Sequence, residues 1–300
     1  MNQQRSLLLT GASGFTGRHA CNYFNKAGFN VTAVARENFN ISNGNINIES
    51  CNLTNKDDVN KLVKKVKPQY LLHLAGQNHV GKSWSDPVST LETNSMSTAY
   101  LIDALREENP SCKIVIVGSA LQFNPNDAST VPHPYSLSKT LQVIIAQSWA
   151  TLYNMHVTIA KPSNLIGPGF SNGVCSIFAK KIVEMEENKV EKVLNVHNLN
   201  AQRDFIDVRD AVIAYETLLL KGKANEVYDI ASGNSYSVQE LANKFKEITN
   251  VDFEIKSQLI NQIEPKVEII PSKIISLGWQ QTISLEQSLK DILNFSRENR

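Results

Sequence analysis

Short apolar runs alternate with helical patterns along the first half of the chain, and this alternation limits the possible folds more than any other feature. The apolar runs are continuous, which is typical of parallel strands covered on both faces. The strands expected are Ser6–Thr10, Val31–Arg36, Ile46–Cys51, Tyr70–Ala75 and Lys113–Ser119, and the helices between them are Thr16–Ala27, Asn55–Val66 and Val88–Glu108. The pattern predicts an α/β fold with a doubly wound parallel sheet.

A glycine-rich loop joins the first strand to the first helix, with the spacing GxxGxxG over residues 11–17. Glycine lacks a Cβ, so the backbone can approach a pyrophosphate closely, and the amides that open a helix are free to donate to its oxygens. A plain strand-to-helix turn would use the same residues, but the position after the first strand favours a dinucleotide site of the Rossmann type. The predicted cofactor contacts here are Gly11, Ser13, Gly14, Phe15, Thr16 and Gly17.

The end of the second strand indicates which dinucleotide is bound. Enzymes that use NAD usually place an acidic residue there for the ribose hydroxyls, whereas an arginine accommodates the extra phosphate of NADP. Here the strand ends in Val34-Ala35-Arg36, and Arg18 is a second cation close to the loop in sequence. We therefore expect NADP(H) as the cofactor with Arg36 as a contact, and NAD(H) as the alternative.

The regular alternation of strand and helix patterns weakens after Pro162. A helical pattern from Tyr135 to Tyr153 and a strand over His156–Ala160 still continue the alternation. Beyond them the loops lengthen, although helical patterns recur over Val208–Leu220 and Val238–Ile248. We expect a dinucleotide-binding domain over residues 1–162, to which some later segments return, and a smaller, mainly substrate-binding portion over residues 163–300.

Composition excludes several classes of partner. The formal net charge is +1, so no strong field recruits nucleic acid or an anionic membrane. No segment reaches about 18 uninterrupted apolar residues, the length that spans a bilayer. The four cysteines are scattered, with no spacing that suits a metal site, and free cysteines are typical of a reducing compartment. We expect a cytoplasmic protein that binds no metal, no nucleic acid and no membrane.

A tyrosine and a lysine four residues apart open the long helix that follows the fifth strand. Positions i and i+4 share one helix face, so Tyr135 and Lys139 lie side by side. A neighbouring ammonium lowers the pKa of a phenol, which makes it a better proton donor near neutral pH. Ser119 ends the fifth strand, at the sheet edge where ligands bind in open α/β folds, and could hydrogen-bond a substrate carbonyl. These three residues are the predicted catalytic set.

Together these motifs resemble the extended short-chain dehydrogenase/reductase family, which contains nucleotide-sugar epimerases, dehydratases and reductases. The resemblance covers nearly the whole chain and extends to Asn94, to Lys161-Pro162-Ser163-Asn164, to Arg203-Asp204-Phe205-Ile206-Asp207-Val208-Arg209-Asp210 and to Leu277-Gly278-Trp279. It implies that Lys139 holds the nicotinamide ribose, that Asn164 binds substrate and that Arg203 grips a diphosphate. It further implies cofactor contacts at Asn52, Leu53, Leu74, Ala75, Gly76 and Pro162, and substrate contacts at Gln77 and His79.

Departures from the family pattern narrow the reaction. The dehydratases of the family follow the catalytic hydroxyl with Asp-Glu, where this chain has Ala120-Leu121. The epimerase-reductases use a Cys and a His where this chain has Leu121 and Gly169. What remains is hydride transfer with one tyrosine acid/base. Residues 73–80 and 203–210 look most like the nucleotide-sugar 4-reductases that act on GDP-4-keto-6-deoxy-mannose, although Asn52, Phe123 and Ser163 depart from that pattern.

The resemblance therefore implies an NADPH-dependent oxidoreductase of deoxysugar biosynthesis that reduces the 4-keto group of a nucleotide-linked 4-keto-6-deoxyhexose. The substrate is a GDP-linked mannose derivative or a UDP-linked N-acetylhexosamine derivative. A nucleotide-sugar 4-epimerase with bound NAD is one alternative, and a non-catalytic NADPH-binding sensor is another. The resemblance also implies a homodimer that pairs through helices near Val88–Glu108 and Tyr135–Tyr153.

Overall fold

The computed structural model of the chain describes residues 5–37, 46–259 and 264–299. The chain divides into two compact units. The first contains Met1–Lys161 and Val212–Tyr228, and the second contains Pro162–Ala211 and Asp229–Arg300. Within the described part of the chain, no helix combines the length and the hydrophobicity needed to cross a membrane.

A seven-stranded sheet in the order β10-β6-β5-β4-β1-β2-β3 dominates the first unit. Its strands are β1 (Ser6–Thr10), β2 (Asn30–Ala35), β3 (Asn47–Ser50), β4 (Tyr70–His73), β5 (Lys113–Val117), β6 (Val157–Pro162) and β10 (Val227–Ile230). Every pairing from β3 to β6 is parallel. The order reverses between β1 and β4, and open α/β sheets bind ligands at such a point. The predicted Rossmann-type sheet is confirmed, with strand ends that differ by one or two residues.

Eleven α-helices accompany the strands in the described residues. They are α1 (Phe15–Lys26), α2 (Lys56–Val66), α3 (Val80–Ser85), α4 (Pro87–Leu91), α5 (Ser97–Glu108), α6 (Pro134–Leu152), α7 (Val174–Glu186), α8 (Val208–Lys221), α9 (Val238–Ile248), α10 (Ser272–Ile275) and α11 (Leu285–Glu298). The helix predicted over Val88–Glu108 is interrupted by a π-helical turn over Glu92–Met96, which joins α4 to α5. Such turns are frequent at functional sites.

The second unit has its own sheets and core. Strands β7 (Asn164–Ile166), β9 (Gln202–Asp207) and β11 (Ser235–Ser237) form one small sheet, and β8 (Val193–Val196) pairs in parallel with β12 (Glu254–Ser257). Helices α7, α9 and α11 pack their apolar faces together, with Phe178 edge-on to Phe245 and Leu289 fully buried. Neither α7 nor α11 was predicted from the sequence.

Candidate active site

The glycine loop makes the close turn that the sequence predicts. Gly11 has φ +72°, and a Cβ there would lie 2.7 Å from the Ala75 nitrogen. A Cβ on Gly17 would lie 2.1 Å from the Gly11 oxygen, so both positions require glycine. Gly14 is the N-cap of α1 and supplies no side-chain acceptor to the first turn. Its exposed backbone leaves helix amides available to a pyrophosphate, with the positive end of the helix dipole behind them. The loop therefore fits the phosphates of a dinucleotide.

The remaining loop residues lie where a cofactor could reach them. Ser13 is exposed, and Phe15 and Thr16 are half-buried at the start of α1. Arg36 is exposed immediately after β2, and Arg18 donates from Nε to the Ser13 carbonyl at 3.1 Å. A cation thus stands at the strand end where NAD enzymes usually carry an acid.

The segment after β3 is held by its own side chains. Asn52 is exposed, and its Oδ1 accepts hydrogen bonds from the nitrogen and the hydroxyl of Thr54, at 3.2 and 2.9 Å. Leu53 beside it is half-buried. The side chain that replaces the common acid of the family thus stabilises a turn before α2, and its contact with a cofactor stays a prediction.

Ser119, Tyr135 and Lys139 come together at the carboxyl end of β5. Ser119 follows β5 by two residues, and its side chain hydrogen-bonds the Tyr135 phenol. Tyr135 is the second residue of α6, whose N-cap His133 accepts from the Ser136 amide through Nδ1 at 2.9 Å. One turn later, Lys139 donates from Nζ to the Val117 carbonyl at 2.7 Å. Tyr135 and Lys139 are both 7% exposed, so these two side chains are shielded from water, and Ser119 is half-buried.

Burial dominates the electrostatics of this set. It raises the pKa of Tyr135 above its ordinary value, and the hydrogen bond from Ser119 acts in the opposite direction. Burial also lowers the pKa of Lys139 to about 7. A neighbouring lysine charge was expected to lower the tyrosine pKa, whereas burial raises it. A lysine that titrates near neutrality can exchange a proton at working pH.

Asn94 connects the segment after β4 to helix α6. It lies in the π-helical turn, fully buried, where its Oδ1 accepts from the Gln77 amide at 2.7 Å. Its Nδ2 donates to the Gln77 carbonyl at 3.0 Å and to the Ser138 hydroxyl at 2.8 Å. Ser138 in turn donates to the Tyr135 carbonyl. Asn94 belongs to the family resemblance but was not among the predicted site residues.

Gln77 and His79 already have partners within the chain. Gln77 donates to the carbonyl of His79 and to the Thr90 hydroxyl, both at 3.1 Å, and it accepts from the His79 amide. Nδ1 of His79 accepts from the Lys82 amide at 3.0 Å and so caps α3. Between β4 and these residues, Leu74 and Ala75 are half-buried and Gly76 is exposed. Their predicted contacts with substrate and cofactor remain proposals.

The second unit holds the other predicted ligand contacts. Asn164 is exposed at the start of β7 and donates to the Asp204 carbonyl at 2.9 Å, whereas Pro162 is buried. Arg203 on β9 donates from Nη1 to Glu264 Oε2 at 2.9 Å. Glu264 is anchored in turn by Nδ2 of Asn198, also at 2.9 Å. Sequence reasoning missed Glu264, since nothing in its local sequence indicates this pairing.

The buried acids beside Arg203 have structural roles. Asp204 accepts from Ser163, Ser232 and Gly233, and Asp207 accepts from Arg209 and Ser288. Asp210 accepts from Thr282 and from the Ile283 amide. These acids therefore hold the fold of the second unit. Across the described residues, no group of three or more His, Cys, Asp or Glu side chains could hold a metal ion.

Comparison with known proteins agrees with this geometry. A model of the NAD dependent epimerase/dehydratase family matches residues 7–231. The chain belongs to this family. It is an enzyme of the NAD dependent epimerase/dehydratase family, as the resemblance implied.

Individual members extend the likeness to almost the full chain. The GDP-6-deoxy-D-mannose reductase of Pseudomonas aeruginosa is 28% identical over 303 residues, which cover 96% of each chain. The CDP-paratose 2-epimerase of Salmonella typhi is 22% identical and covers 97% of this chain and 98% of its own. The structure of RMD from Pseudomonas aeruginosa complexed with NADPH superposes with a TM-score of 0.84 at 26% identity, over 99% of this chain and 100% of that one.

Proposed function

We propose that this family member reduces the 4-keto group of a nucleotide-linked 4-keto-6-deoxyhexose with NADPH. The observation that carries the proposal is the set of Ser119, Tyr135 and Lys139, in which the tyrosine and the lysine are buried, together with the Ala120 and Leu121 that follow the serine. One acid/base tyrosine suffices for a ketone reduction. Dehydration, or the epimerisation that precedes reduction in the epimerase-reductases, needs further titratable groups, which Ala120 and Leu121 do not provide. The likeness to a GDP-6-deoxy-D-mannose reductase supports the same reaction.

Ser119, Tyr135 and Lys139 have separate roles in this mechanism. Bound NADPH supplies the hydride. Ser119 orients the carbonyl oxygen of the substrate, and Tyr135 donates a proton from its hydroxyl to that oxygen as negative charge develops there. Lys139 holds the nicotinamide ribose, and its ammonium stabilises the phenolate that Tyr135 becomes. The burial of Tyr135 and Lys139 excludes water, which strengthens these interactions.

The first test follows NADPH oxidation with a panel of 4-keto-6-deoxy sugar nucleotides, made in place by dehydratases. A GDP-linked mannose derivative and a UDP-linked N-acetylhexosamine derivative are compared side by side. Oxidation with one of them is expected and would identify the nucleotide. Failure with every member would contradict the proposal.

A nucleotide-sugar 4-epimerase is the second candidate, because the relatives include an epimerase whose match covers 97% of this chain and 98% of its own. An epimerase that regenerates its own cofactor purifies with NAD bound and needs no added reductant. The absorbance of the purified protein in the reduced-nicotinamide band, before and after substrate is added, separates the two. A sensor that binds NADPH without turnover is the third candidate. It is disfavoured because the complete Ser119, Tyr135 and Lys139 set is retained.

Arg36 is the proposed determinant of NADP(H) preference. We expect Arg36→Ala to weaken NADPH binding about tenfold, since a charge-assisted contact with the extra phosphate is lost, and to leave NADH binding nearly unchanged. Fluorescence titration with both cofactors measures this, and NADH serves as the internal control. Equal weakening for the two cofactors would exclude Arg36 as the discriminating residue, and tighter NADH binding by the unmodified protein would make NAD(H) the cofactor.

Arg203 and Asn164 are the proposed contacts for the nucleotide and sugar. Arg203 is 42% exposed, and the contact to Glu264 uses only one of its amino groups, so the rest of the guanidinium can face a diphosphate. We expect Arg203→Gln to raise KM for the sugar nucleotide about tenfold with little change in kcat. Glu264→Gln keeps the hydrogen-bonding shape but removes a negative charge, so KM should fall. Steady-state kinetics measures both; a KM that rises in Glu264→Gln would show that the carboxylate orients Arg203 instead.

We further propose that the protein is a cytoplasmic homodimer. All four cysteines are free and buried, which suits a reducing compartment. The helices that the resemblance assigns to the dimer expose apolar side chains, among them Val88, Met96 and Ile144. Light scattering measures the mass in solution, and a monomer would contradict the dimer.

A further inference from the structure

A chain of buried hydrogen bonds connects the first strand to helix α6. Oγ1 of Thr10 lies 2.7 Å from Nδ1 of His73, and Nε2 of His73 lies 2.9 Å from Oγ1 of Thr98. Nε2 of Gln142 donates to the same Thr98 oxygen at 2.9 Å. All four side chains are fully buried. Side chains from β1, β4, α5 and α6 are thus joined in one continuous chain.

The direction of these bonds follows from the number of hydroxyl protons. Thr98 has one, and it donates that proton to the Asn94 carbonyl at 2.8 Å. Its oxygen must therefore accept from both other neighbours. Gln142 donates from its amide nitrogen, and His73 donates from Nε2. Since a neutral imidazole has a single N–H, Nδ1 of His73 is an acceptor.

The other end of the chain is consistent with this assignment. Thr10 donates its hydroxyl proton to Nδ1 of His73, and its oxygen accepts from the Ala75 amide at 3.3 Å. Complete burial lowers the pKa of His73 to about 3, and the nearby charge of Lys139 acts in the same direction. The ring therefore stays neutral, in one tautomer, throughout the working range of pH.

The two nitrogens of His73 lead to different parts of the candidate site. On the Nδ1 side, Thr10 directly precedes Gly11, and the Ala75 amide that it binds is the atom against which Gly11 is packed. On the Nε2 side, Gln142 lies three residues after Lys139 on α6. A displacement of the ring would therefore reach the glycine loop by one route and the lysine by the other.

We propose that His73 is a positioning residue, whose Nδ1 holds the glycine loop for cofactor binding and whose Nε2 holds helix α6 for turnover. This inference rests on the proposed function and adds to it a residue that acts only through its neighbours, because it is fully buried. In a buried network, loss of one partner leaves its neighbour unpaired. The hydrogen bond at Nδ1 and the hydrogen bond at Nε2 can therefore be removed separately.

Two substitutions of His73 test the roles of its two ring nitrogens separately. An asparagine places its carbonyl oxygen near the position of Nδ1, and a glutamine places its amide nitrogen near the position of Nε2. We expect His73→Asn to keep the NADPH Kd within about threefold of the unmodified protein and to lower kcat about tenfold or more. We expect His73→Gln to raise the NADPH Kd about tenfold or more and to keep kcat at saturating cofactor within about threefold.

Fluorescence titration and steady-state kinetics with the sugar nucleotide found in the panel measure these values, and thermal unfolding verifies that both variants are folded. The proposal would be overturned if Kd and kcat changed together in both variants, or if neither quantity changed in either variant. Nitrogen-15 NMR of the unmodified protein is an independent measurement, and a protonated Nδ1 would also overturn it. Failure of the unmodified protein to bind either dinucleotide would refute the proposed function first, before any variant is compared.

Discussion

Replacement of Tyr135 by phenylalanine should abolish nearly all turnover while cofactor binding is retained. The change removes only the hydroxyl that would donate the proton, and general acid catalysis of this kind contributes about 10² to 10⁴ in rate. The ring remains in its buried place at the start of α6, so the helix and the Lys139 contact with Val117 should persist. The expected result is a kcat lower by at least about 100-fold, with an NADPH Kd close to that of the unmodified protein.

A second tyrosine on the same helix provides the control. Tyr153 is the C-cap residue of α6 and is 47% exposed, so Tyr153→Phe makes the same chemical change outside the site. This control should retain full activity. Turnover in Tyr135→Phe within a few-fold of the control would remove Tyr135 from the mechanism.

The sequence predicted those features whose signal is local. Each predicted strand in the first half became a strand of the parallel sheet. Strands β1, β2, β4 and β5 are mostly buried, which explains their apolar sequences, whereas β3 is a largely exposed edge strand. The glycine loop was also predictable from the sequence, because a Cβ at Gly11 or Gly17 would collide with backbone atoms and these positions therefore require glycine. The family was therefore recognisable from short motifs, each local in sequence, that are distributed over nearly the whole chain.

Two helices of the second unit were overlooked although their signals are present. In α7, the buried residues Cys175, Phe178, Ala179 and Ile182 follow helical spacing. In α11, Leu289 and Ile292 continue the spacing that Leu285 begins. Lys180 and Lys181 lie within the α7 pattern and interrupt its apolar residues, which makes the helical period harder to recognise.

Other features of the candidate site could not be derived from local sequence. Glu264 pairs with Arg203 across 61 residues, and His73 reaches Thr10 across 63 and Thr98 across 25. The periodicity of apolar residues in the sequence does not reveal such contacts, because they depend on how the strands and helices are assembled. The pKa of Tyr135 shows the same limit: the spacing places Lys139 beside Tyr135, but only the fold shows that burial raises the tyrosine pKa.

Lys139→Met should produce a protein that is more stable and nearly inactive. Burial lowers the pKa of Lys139 from 10.5 to about 7, which means that the fold holds an ammonium in an unfavourable environment. Methionine has a similar length and no charge, so the unfolding temperature of the cofactor-free protein should rise by about 3 °C or more near neutral pH. Turnover should fall by at least about 100-fold, because the group proposed to hold the ribose and to stabilise the phenolate is lost.

The pH dependence of this gain provides the sharper test. Between about pH 7 and about pH 10.5 the unfolded chain binds the lysine proton and the folded chain has released it, so the stability of the unmodified protein rises with pH in that window. Below it, both states are charged and the full cost of burying the ammonium remains. The advantage of Lys139→Met in thermal unfolding should therefore be greatest at or below about pH 7 and should shrink toward about pH 10.

Lys139→Arg keeps the charge and should show no such gain. If Lys139→Met unfolds at the same temperature as the unmodified protein at low pH, burial of the ammonium does not carry the cost assigned to it, and the lysine does not titrate near neutrality.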